Sequence, residues 1–491
     1  MDGVTGRRAA EAGGGRGMRA DTPAAILDDL MLLAGEEPPG QSAAPRVAFR
    51  GADPVLPTPF RIGDLGAAAI AAGAAQAARL FEQRAGLVQT VSVDVDAAAA
   101  AMRSSRYLTA VPPLAPAGRP PVGFYRTKDG RWVFLQRLFA HHFRRQLDVL
   151  GLASDSADEA ITAAILGWNG LDLEAAVIAA GACGAMVRTH DEWADHPQGR
   201  ALAELPLFAI TKTGDSPPEP AGSGDTRPLG GLRVLDVTRV LAGPTCARTL
   251  AEHGARVLRV GTSAVPDNPQ MMRDTGHGKH SCDLDLATAD GAAALRRLVA
   301  GADVFSQGYR PGALDALGFS AAELTRLRPG IITVSLSAYG TAGPWRGRRG
   351  FDSVVQSASG IAWELAGADG VPRSLPANPL DYTTGYLAAF LVMVALGRRE
   401  REGGSYHIDL SLAQTGRYLT GLSRADAALA AAREPDLPRA RLDELMITRR
   451  TPFGVLRYLA PAARMPGTPP RWDLPTVPLD SDRPDWNAFE G

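Results

Sequence analysis

The sequence predicts an α/β protein with a parallel, Rossmann-like sheet in its large domain and a second, smaller α+β domain. From residue 232 onward, apolar runs of strand length alternate with amphipathic helical segments, which is typical of a parallel sheet with crossover helices. Before that region, two short apolar runs flank Asp129-Gly130, a dipeptide that favours a tight hairpin turn. A stretch rich in Pro, Gly and Ser at 214–230 separates the two patterns.

The alternation begins with a strand-like run, a helical segment and a second strand-like run: LRVLDV (232–237), PTCARTLAEHG (244–254) and RVLRV (256–260). It continues with two helix and strand pairs: DGAAALRRLVAG (290–301), DVFSQG (303–308), SAAELTRL (320–327) and IITVSLSAYG (331–340). Ser320 and Glu323 have the spacing of a capping box, and Gly254 lies where a left-handed helix cap is expected. Local signals therefore agree with the periodicity.

The segment GFYRTKDGRWVFLQ (123–136) predicts two strands of a small mixed domain. We divide the chain into a disordered tail (1–20), a large-domain-like helix and strand segment with Asp64 (21–110), a small α+β domain (111–213), a linker (214–230), a Rossmann-like large domain (231–432) and a Pro-rich C-terminal extension (433–491).

Composition excludes several classes of partner. The net charge is -1, from 52 Lys+Arg against 53 Asp+Glu, so we expect neither nucleic acid nor an anionic membrane surface as a partner. The strongly apolar run from Tyr386 to Leu396 is shorter than the ~20 residues of a membrane-spanning helix. Only three lysines occur among many Arg, Ala and Gly residues, which indicates a genomic base-composition bias. We also expect a bacterial protein.

The cysteines and histidines give no sign of a disulfide framework or a metal site. Three cysteines lie far apart without a CxxC pair, which is typical of a reducing compartment, and we expect a cytoplasmic protein. His277 and His280, like His141 and His142, lack acidic or Cys partners at ligand spacing, so no metal is predicted.

Two distant segments share one layout of an Asp, an apolar helix, a charged turn and a strand. These segments are residues 60–95, with Asp64, and residues 378–412, with Asp381. Either the chain contains an internal duplication, or two Ala-rich helices resemble each other by chance.

Five motifs occur in order in the second half: VLDVTRVLAGP (234–244), GKHSCDLDL (278–286), QGYRPGALDALGFS (307–320), LSAYGTAGPWRGRRGFDSVVQSASG (336–360) and LDYTTG (380–385). Together they resemble the large domain of the class III (CaiB/BaiF-type) coenzyme A transferases. Residues 60–105 resemble the Asp-bearing helix of that family, and residues 122–208 resemble its small domain. Because the small domain precedes the full large domain, the chain resembles a fused or rearranged variant of the family.

The resemblance implies CoA transfer from an acyl-CoA thioester to a carboxylic acid, with Asp381 as the attacking carboxylate and Gly385 four residues later. A carboxylate can attack a thioester carbonyl to form an acyl-enzyme anhydride, and amides at a helix N-terminus could stabilise the oxyanion. Taken by itself, Asp381 could instead be the N-cap of a helix that begins near Thr383. Asp64, in GDLG, is the rival carboxylate, either vestigial or completing the second site.

The same resemblance places the CoA phosphates and adenosine near a set of motif residues: Arg239, Arg259, Gly278, Lys279, His280, Gln307, Tyr309 and Arg310. Arginine suits phosphate oxygens because its planar guanidinium donates in pairs. CoA or acyl-CoA is expected as a substrate, with no tightly bound cofactor. Family members are homodimers, but a chain with two half-copies could also form a two-lobed monomer.

Two other functions stay open. The racemases of the same family use a His where this chain has Phe351 in Gly350-Phe351-Asp352, and Phe cannot carry a proton. A rearranged relative could also bind acyl-CoA without turnover. The acyl group and the acceptor acid cannot be deduced from these motifs.

Overall fold

The computed structural model describes residues 21–40, 45–113, 122–224, 226–265 and 267–489, so the predicted disordered tail (1–20) lies outside the described residues. The N-terminal segment contains α1 (Pro23–Leu33), β1 (Val47–Arg50), α2 (Ile62–Ala85), β2 (Val91–Asp94), α3 (Val95–Ala101), α4 (Ser104–Tyr107) and β3 (Thr109–Val111). Helix α2 is Ala-rich and buried along most of its length. Its C-terminal cap is Gly86, whose φ of 70° is left-handed and causes no steric clash because glycine has no Cβ.

The small domain follows, with β4 (Val122–Arg126), β5 (Trp132–Gln136), α5 (Ala140–Leu150), α6 (Asp158–Ile165), α7 (Gly170–Ala179), β6 (Gly184–Met186), α8 (His190–Asp195) and α9 (Pro197–Ala203). Strands β4, β5 and β6 form an antiparallel sheet. Gly130 has a φ of 73° in the turn between β4 and β5, so the predicted hairpin is confirmed.

The next strand, β7 (Phe208–Gly214), falls mostly within the small domain of the sequence-based division, which ends at residue 213. In the structure it pairs with a strand of the large sheet instead. The large domain itself contains β8 (Arg233–Val237), α10 (Ala242–Glu252), β9 (Arg256–Gly261), α11 (Pro269–Thr275), β10 (Lys279–Asp283), α12 (Ala289–Ala300), β11 (Val304–Gln307), α13 (Ala321–Leu327), β12 (Ile332–Ser337), α14 (Asp352–Ala358), α15 (Ile361–Glu364), α16 (Pro379–Glu402), β13 (Ser405–Ser411) and α17 (Leu412–Gly421).

The large sheet has seven strands in the order β10-β9-β8-β11-β12-β13-β7. Strands β8 to β13 are parallel, and β7 is antiparallel to β13. The chain order reverses between β8 and β11, which creates the switch point where Rossmann-type sheets bind ligands. The predicted α/β class with a Rossmann-like parallel sheet is therefore confirmed. Ser320 also caps α13 by accepting from the Glu323 amide at 3.2 Å.

The last helix of the large domain is α18 (Ala427–Ala431). The Pro-rich extension then folds against both halves through α19 (Arg439–Leu445), β14 (Met446–Thr451), β15 (Gly454–Leu459) and β16 (Ala463–Arg464). Strand β15 pairs with β3, and β16 pairs with β2. Residues 465–489, which we call the C-terminal strap, end in a 3-10 turn at Trp486–Phe489. The extension thus joins the N-terminal segment to the large domain.

Helices α2 and α16 pack against each other in the core, and each has 24 residues. Gly73 lies against Met393 and Gly397 against Leu80, so the two helices run in the same direction. Each helix has its Asp at the third residue and is followed by a strand and a short helix. The two segments that looked repeated in the sequence therefore share one three-dimensional layout.

Helix α16 is longer than its apolar sequence run suggests. By length and composition it could cross a membrane, yet all of its apolar window is buried inside the fold. The bent pair of α6 and α7, at 116°, also passes that test when its two helices are combined. Packing on all sides explains why α16 is apolar around its whole circumference.

Candidate active site

Asp381 lies in the first turn of the core helix α16. The helix begins at Pro379 and its N-cap is Asn378, so the interpretation of Asp381 as a simple N-cap is wrong. Its side chain is 6% exposed, and its carboxylate accepts no hydrogen bond from the described residues. A buried carboxylate without such bonds is unfavourable when ionised, which is more typical of a reactive group than of a structural one.

Asp352, from the GFD motif, holds the backbone of this turn. Its Oδ2 accepts from the amides of Leu380 at 2.8 Å and Asp381 at 3.0 Å, and its Oδ1 accepts from Gln356. Burial raises the pKa of Asp352 to about 6. Burial, and then the charge of Asp352, raise the pKa of Asp381 well above its usual range. The two carboxyl groups therefore titrate as a pair.

Gly385 allows α16 to approach α10 closely. A Cβ at this position would lie 2.4 Å from the carbonyl oxygen of Ala242 and 2.7 Å from Cβ of Thr245. Both distances are too short for a side chain, so close packing against α10 explains why a glycine follows Asp381 by one helical turn. The contact ties the position of Asp381 to the N-terminus of α10.

Asp64 occupies the corresponding place at the start of α2, but its carboxylate is fully engaged. Oδ1 accepts from the Asp53 amide at 3.1 Å, and Oδ2 forms an ion pair with Arg61 at 2.9 Å. The Asp64 amide donates to Asp53 Oδ2 at 2.7 Å, much as the Asp381 amide donates to Asp352. The backbone amide of Asp64 is therefore held like that of Asp381, but the Asp64 carboxylate is occupied by hydrogen bonds and an ion pair.

The shared layout extends beyond the two segments first compared. Arg50-Gly51-Ala52-Asp53 precedes α2 as Arg349-Gly350-Phe351-Asp352 precedes α16. This shared R-G-x-D pattern is a sequence signal that could have identified Asp352 as a partner of Asp381.

A cavity of about 1040 Å³ opens at the switch point of the large sheet. One wall consists of residues that follow β8, β11 and β12, and the other belongs to α5 of the small domain. The lining includes Phe139–His142, Arg144, Arg145, Asp148, Thr238–Val240, Gly308–Pro311, Leu336–Ala338 and Arg348–Phe351. It lies next to the Asp381 turn, because Phe351 lines it and the following residue, Asp352, binds the Asp381 backbone.

The cavity carries unpaired positive charge. Arg310 and Arg349 have no acidic partner among the described residues, and Asp148 is the one acidic residue among the described lining residues. Burial and the nearby charges of Arg310 and Arg145 lower the pKa of Arg349, so these cations face one another. A ligand with several anionic oxygens, such as a phosphate ester, would relieve that repulsion.

Of the residues predicted to contact CoA, three line this cavity and two lie next to residues that line it. Arg239, Tyr309 and Arg310 line the cavity, although Arg239 Nε also binds Asp267 at 2.7 Å. Two others lie beside it: Arg259 shares Asp267 with Arg239, and Gln307 binds Ser335 and the Tyr309 amide, each at 2.8 Å.

Lys279 does not face the cavity. It is 2% exposed, and its ammonium donates to Asp236 at 2.7 Å and to the carbonyl of Pro244 at 2.8 Å. Both sequence neighbours of Lys279 contact the C-terminal strap. The Gly278 amide donates to the Leu474 carbonyl, and the ring of His280 pairs with Asp482 and stacks on Phe489. None of these three residues is among the described residues that line the cavity.

Sequence reasoning missed the small-domain wall. Phe139, His141, His142 and Arg145 are about a hundred positions before β8 and belong to no motif that was used. The pair Arg144-Arg145, with no acidic residue beside it, was the available signal. The described residues hold no cluster of His, Cys, Asp or Glu that could bind a metal ion.

The structure thus combines a Rossmann-type sheet, a cationic cavity at its switch point and a buried carboxylate in the neighbouring turn. The sequence model of CoA-transferase family III matches residues 43–205 and 229–448. The chain therefore belongs to CoA-transferase family III.

Individual relatives carry related names. An acyl-CoA transferase of Gibberella moniliformis is 32% identical over 281 residues, covering 55% of this chain and 49% of that protein. The succinyl-CoA--L-malate CoA-transferase beta subunit of Chloroflexus aurantiacus is 34% identical, covering 39% and 50%. A CAIB/BAIF family structure from Brucella suis is 30% identical with a TM-score of 0.37, covering 39% and 55%. The chain spans about half the length of the curated relatives it matches.

Proposed function

We propose that this chain transfers CoA from an acyl-CoA thioester to a carboxylic acid through an acyl anhydride and then a CoA thioester of Asp381. Membership of the family and the transferase names of its relatives support the reaction class. The observation that carries the assignment is the contrast between the two copies: the Asp381 carboxylate has no partner among the described residues, whereas Asp64 is bound by Arg61 and Asp53.

The chemistry needs only carboxylates and thiolates. An oxygen of ionised Asp381 bonds to the thioester carbon, the C–S bond breaks, and CoA leaves as its thiolate. The thiolate then attacks the aspartyl carbon of the anhydride, which releases the donor acid and leaves CoA on Asp381. The acceptor carboxylate attacks this thioester, and a final thiolate attack on the new anhydride yields the product acyl-CoA and free Asp381.

The surroundings of Asp381 suit a nucleophile that must shed water before it reacts. Burial removes the hydration that would weaken an ionised carboxylate as a nucleophile, at the expense of a raised pKa. Arg310 and Arg349 would hold the phosphates of CoA at the open end of the cavity, together with Arg239. CoA is then a substrate held by arginines, and no tightly bound cofactor is required.

Two other proposals accompany the reaction. The three cysteines are free and buried, which fits a reducing cytoplasm. The duplicated unit within one chain supports a two-lobed monomer, and a homodimer is the other assembly to be distinguished by mass measurement in solution.

The test is a search for a covalent adduct. The purified protein and its Asp381→Ala and Asp64→Ala variants are incubated with a panel of acyl-CoAs and acids, and intact and peptide masses are recorded. An acyl or CoA adduct on Asp381, lost in Asp381→Ala and kept in Asp64→Ala, is expected. An adduct on Asp64, or none while CoA still binds, would contradict the proposal. Solvent exchange of the α-proton would favour a racemase, although Phe351 offers no proton.

A further inference from the structure

The proposed reaction needs a hydrogen-bond donor for the thioester carbonyl oxygen, and the first turn of α16 supplies none. Pro379 has no N–H, and the amides of Leu380 and Asp381 donate to Asp352. The Tyr382 amide donates back within the turn, at 3.1 Å. The amides of Leu380, Asp381 and Tyr382 thus already have acceptors, so we look for a donor on another element.

His142 is a buried residue of the cavity wall whose imidazole nitrogens make no hydrogen bond to the described residues. It is 4% exposed and lines the cavity from the first turn of α5. Its Nδ1 is sealed from solvent and has no hydrogen-bond partner. Its Nε2 makes no hydrogen bond within the described chain either, but it is not sealed. This open atom therefore faces the cavity.

Aromatic neighbours fix the His142 ring close to the Asp381 turn. Its centroid lies 5.8 Å from the ring of Phe139 at 84°, and 6.0 Å from the ring of Phe351. Phe351 directly precedes Asp352, which binds the Asp381 amide at 3.0 Å. Phe351 and Asp352 therefore connect the His142 ring to the backbone of the Asp381 turn.

The groups around His142 keep its imidazole neutral. Burial first, and then the charges of His141, Arg349, Arg145 and Arg239, lower the pKa of His142 to about 4. His141 and Arg145 come from its own helix, and the other two come from the large domain. A neutral imidazole in the first turn of a helix can polarise a carbonyl as a hydrogen-bond donor without giving up its proton.

We propose that His142 donates an Nε2–H hydrogen bond to the acyl carbonyl oxygen while Asp381 attacks, a role that rests on the proposed function. As the Asp381 oxygen bonds to the carbonyl carbon, the C=O electron pair moves onto this oxygen, where the hydrogen bond stabilises it. When the pair returns, the C–S bond breaks and the CoA thiolate leaves. The proton stays on His142 throughout.

The kinetic test compares His142→Phe, which keeps a flat ring without a donor, with His142→Gln, which keeps a donor. In His142→Phe we expect kcat to fall ~10²–10³-fold with little change in KM, as for loss of one oxyanion donor. His142→Gln should retain more activity than His142→Phe. His190→Phe is the matched control, because His190 is 37% exposed and pairs with Glu364 outside the cavity.

A spectroscopic test distinguishes hydrogen-bond donation by His142 from a purely structural role of this residue. Its result does not depend on whether the protein transfers CoA. Acyl-CoA labelled with ¹³C at the thioester carbonyl is bound to Asp381→Ala protein, and its infrared C=O stretch is compared with that in His142→Phe/Asp381→Ala. We expect a lower frequency where His142 is present.

Equal frequencies in the two proteins, or a folded His142→Phe enzyme with kcat within about threefold of wild type, would overturn the proposal and point to backbone amides as the donors. If the wild type binds acyl-CoA without transferring it, the proposed function fails. The infrared comparison still decides on His142, because it requires binding alone.

Discussion

Replacing Gly385 with alanine tests the contact that positions Asp381. The added Cβ would lie 2.4 Å from the Ala242 carbonyl oxygen and 2.7 Å from Thr245 Cβ. An ordinary C···O contact is about 3.3 Å, so the overlap is about 1 Å against a backbone atom that no side-chain rotation can move. Overpacking of this kind costs about 1–3 kcal/mol, and the better helix propensity of Ala returns about 1 kcal/mol. We expect a net loss of roughly 0–2 kcal/mol in the free energy of unfolding.

The same substitution should reduce activity more than stability. Gly385 lies one helical turn after Asp381, and a displacement near 1 Å at a reacting group can lower a rate ~10²-fold. Gly73→Ala is the control in the partner helix, because its Cβ would meet only Met393 Cε at 3.5 Å. That change should be neutral or stabilising. Urea unfolding and kcat are measured for both variants, and equal stability and activity would refute this account of Gly385.

Three further predictions concern charge. Asp352→Asn removes a charge that raises the pKa of Asp381, so the acid limb of the pH–rate profile should move to lower pH. Lys279→Met leaves Asp236 buried and unpaired, and urea unfolding should show a loss of about 3–5 kcal/mol. Arg349→Ala should weaken CoA binding about tenfold with less salt dependence, by calorimetry at two salt concentrations, without lowering Tm. The role given to Asp352 would be contradicted by an acid limb that does not move, and the Lys279–Asp236 pair by a Lys279→Met protein of wild-type stability. The role given to Arg349 would be contradicted by an unchanged salt dependence of CoA binding.

The large sheet could be predicted because its signals are local. Strand β8 (RVLDV) is buried from Val234 to Val237 and is mostly apolar in sequence, and the helices between strands show their own period. Asp381 was found through the order of the surrounding motifs and the repeated layout. The same repeat also identified Asp64, but only the ion pair with Arg61 shows why the two carboxylates differ.

The cavity wall could not be predicted, because it depends on how the small domain packs on the sheet. His142 and Arg145 meet Arg349 only after the chain folds, and no spacing in the sequence records that contact. Lys279 was predicted as a phosphate neighbour from its place in the GKHSCDLDL motif. In the structure it pairs with Asp236, which lies two strands away across the sheet, and that pairing depends on strand order.

The C-terminal strap covers the outer side of β10, an edge strand of the large sheet. Asp482 donates its amide to the Ser281 carbonyl and accepts the Ser281 amide through its carboxylate, each at 2.9 Å. Exposed edges can pair with another chain and start aggregation. A protease cut or truncation before the strap would uncover that edge in every molecule at once. The strap thus occupies backbone groups of β10 that could otherwise pair with a second chain. We expect protein truncated before residue 465 to precipitate, and light scattering would detect this.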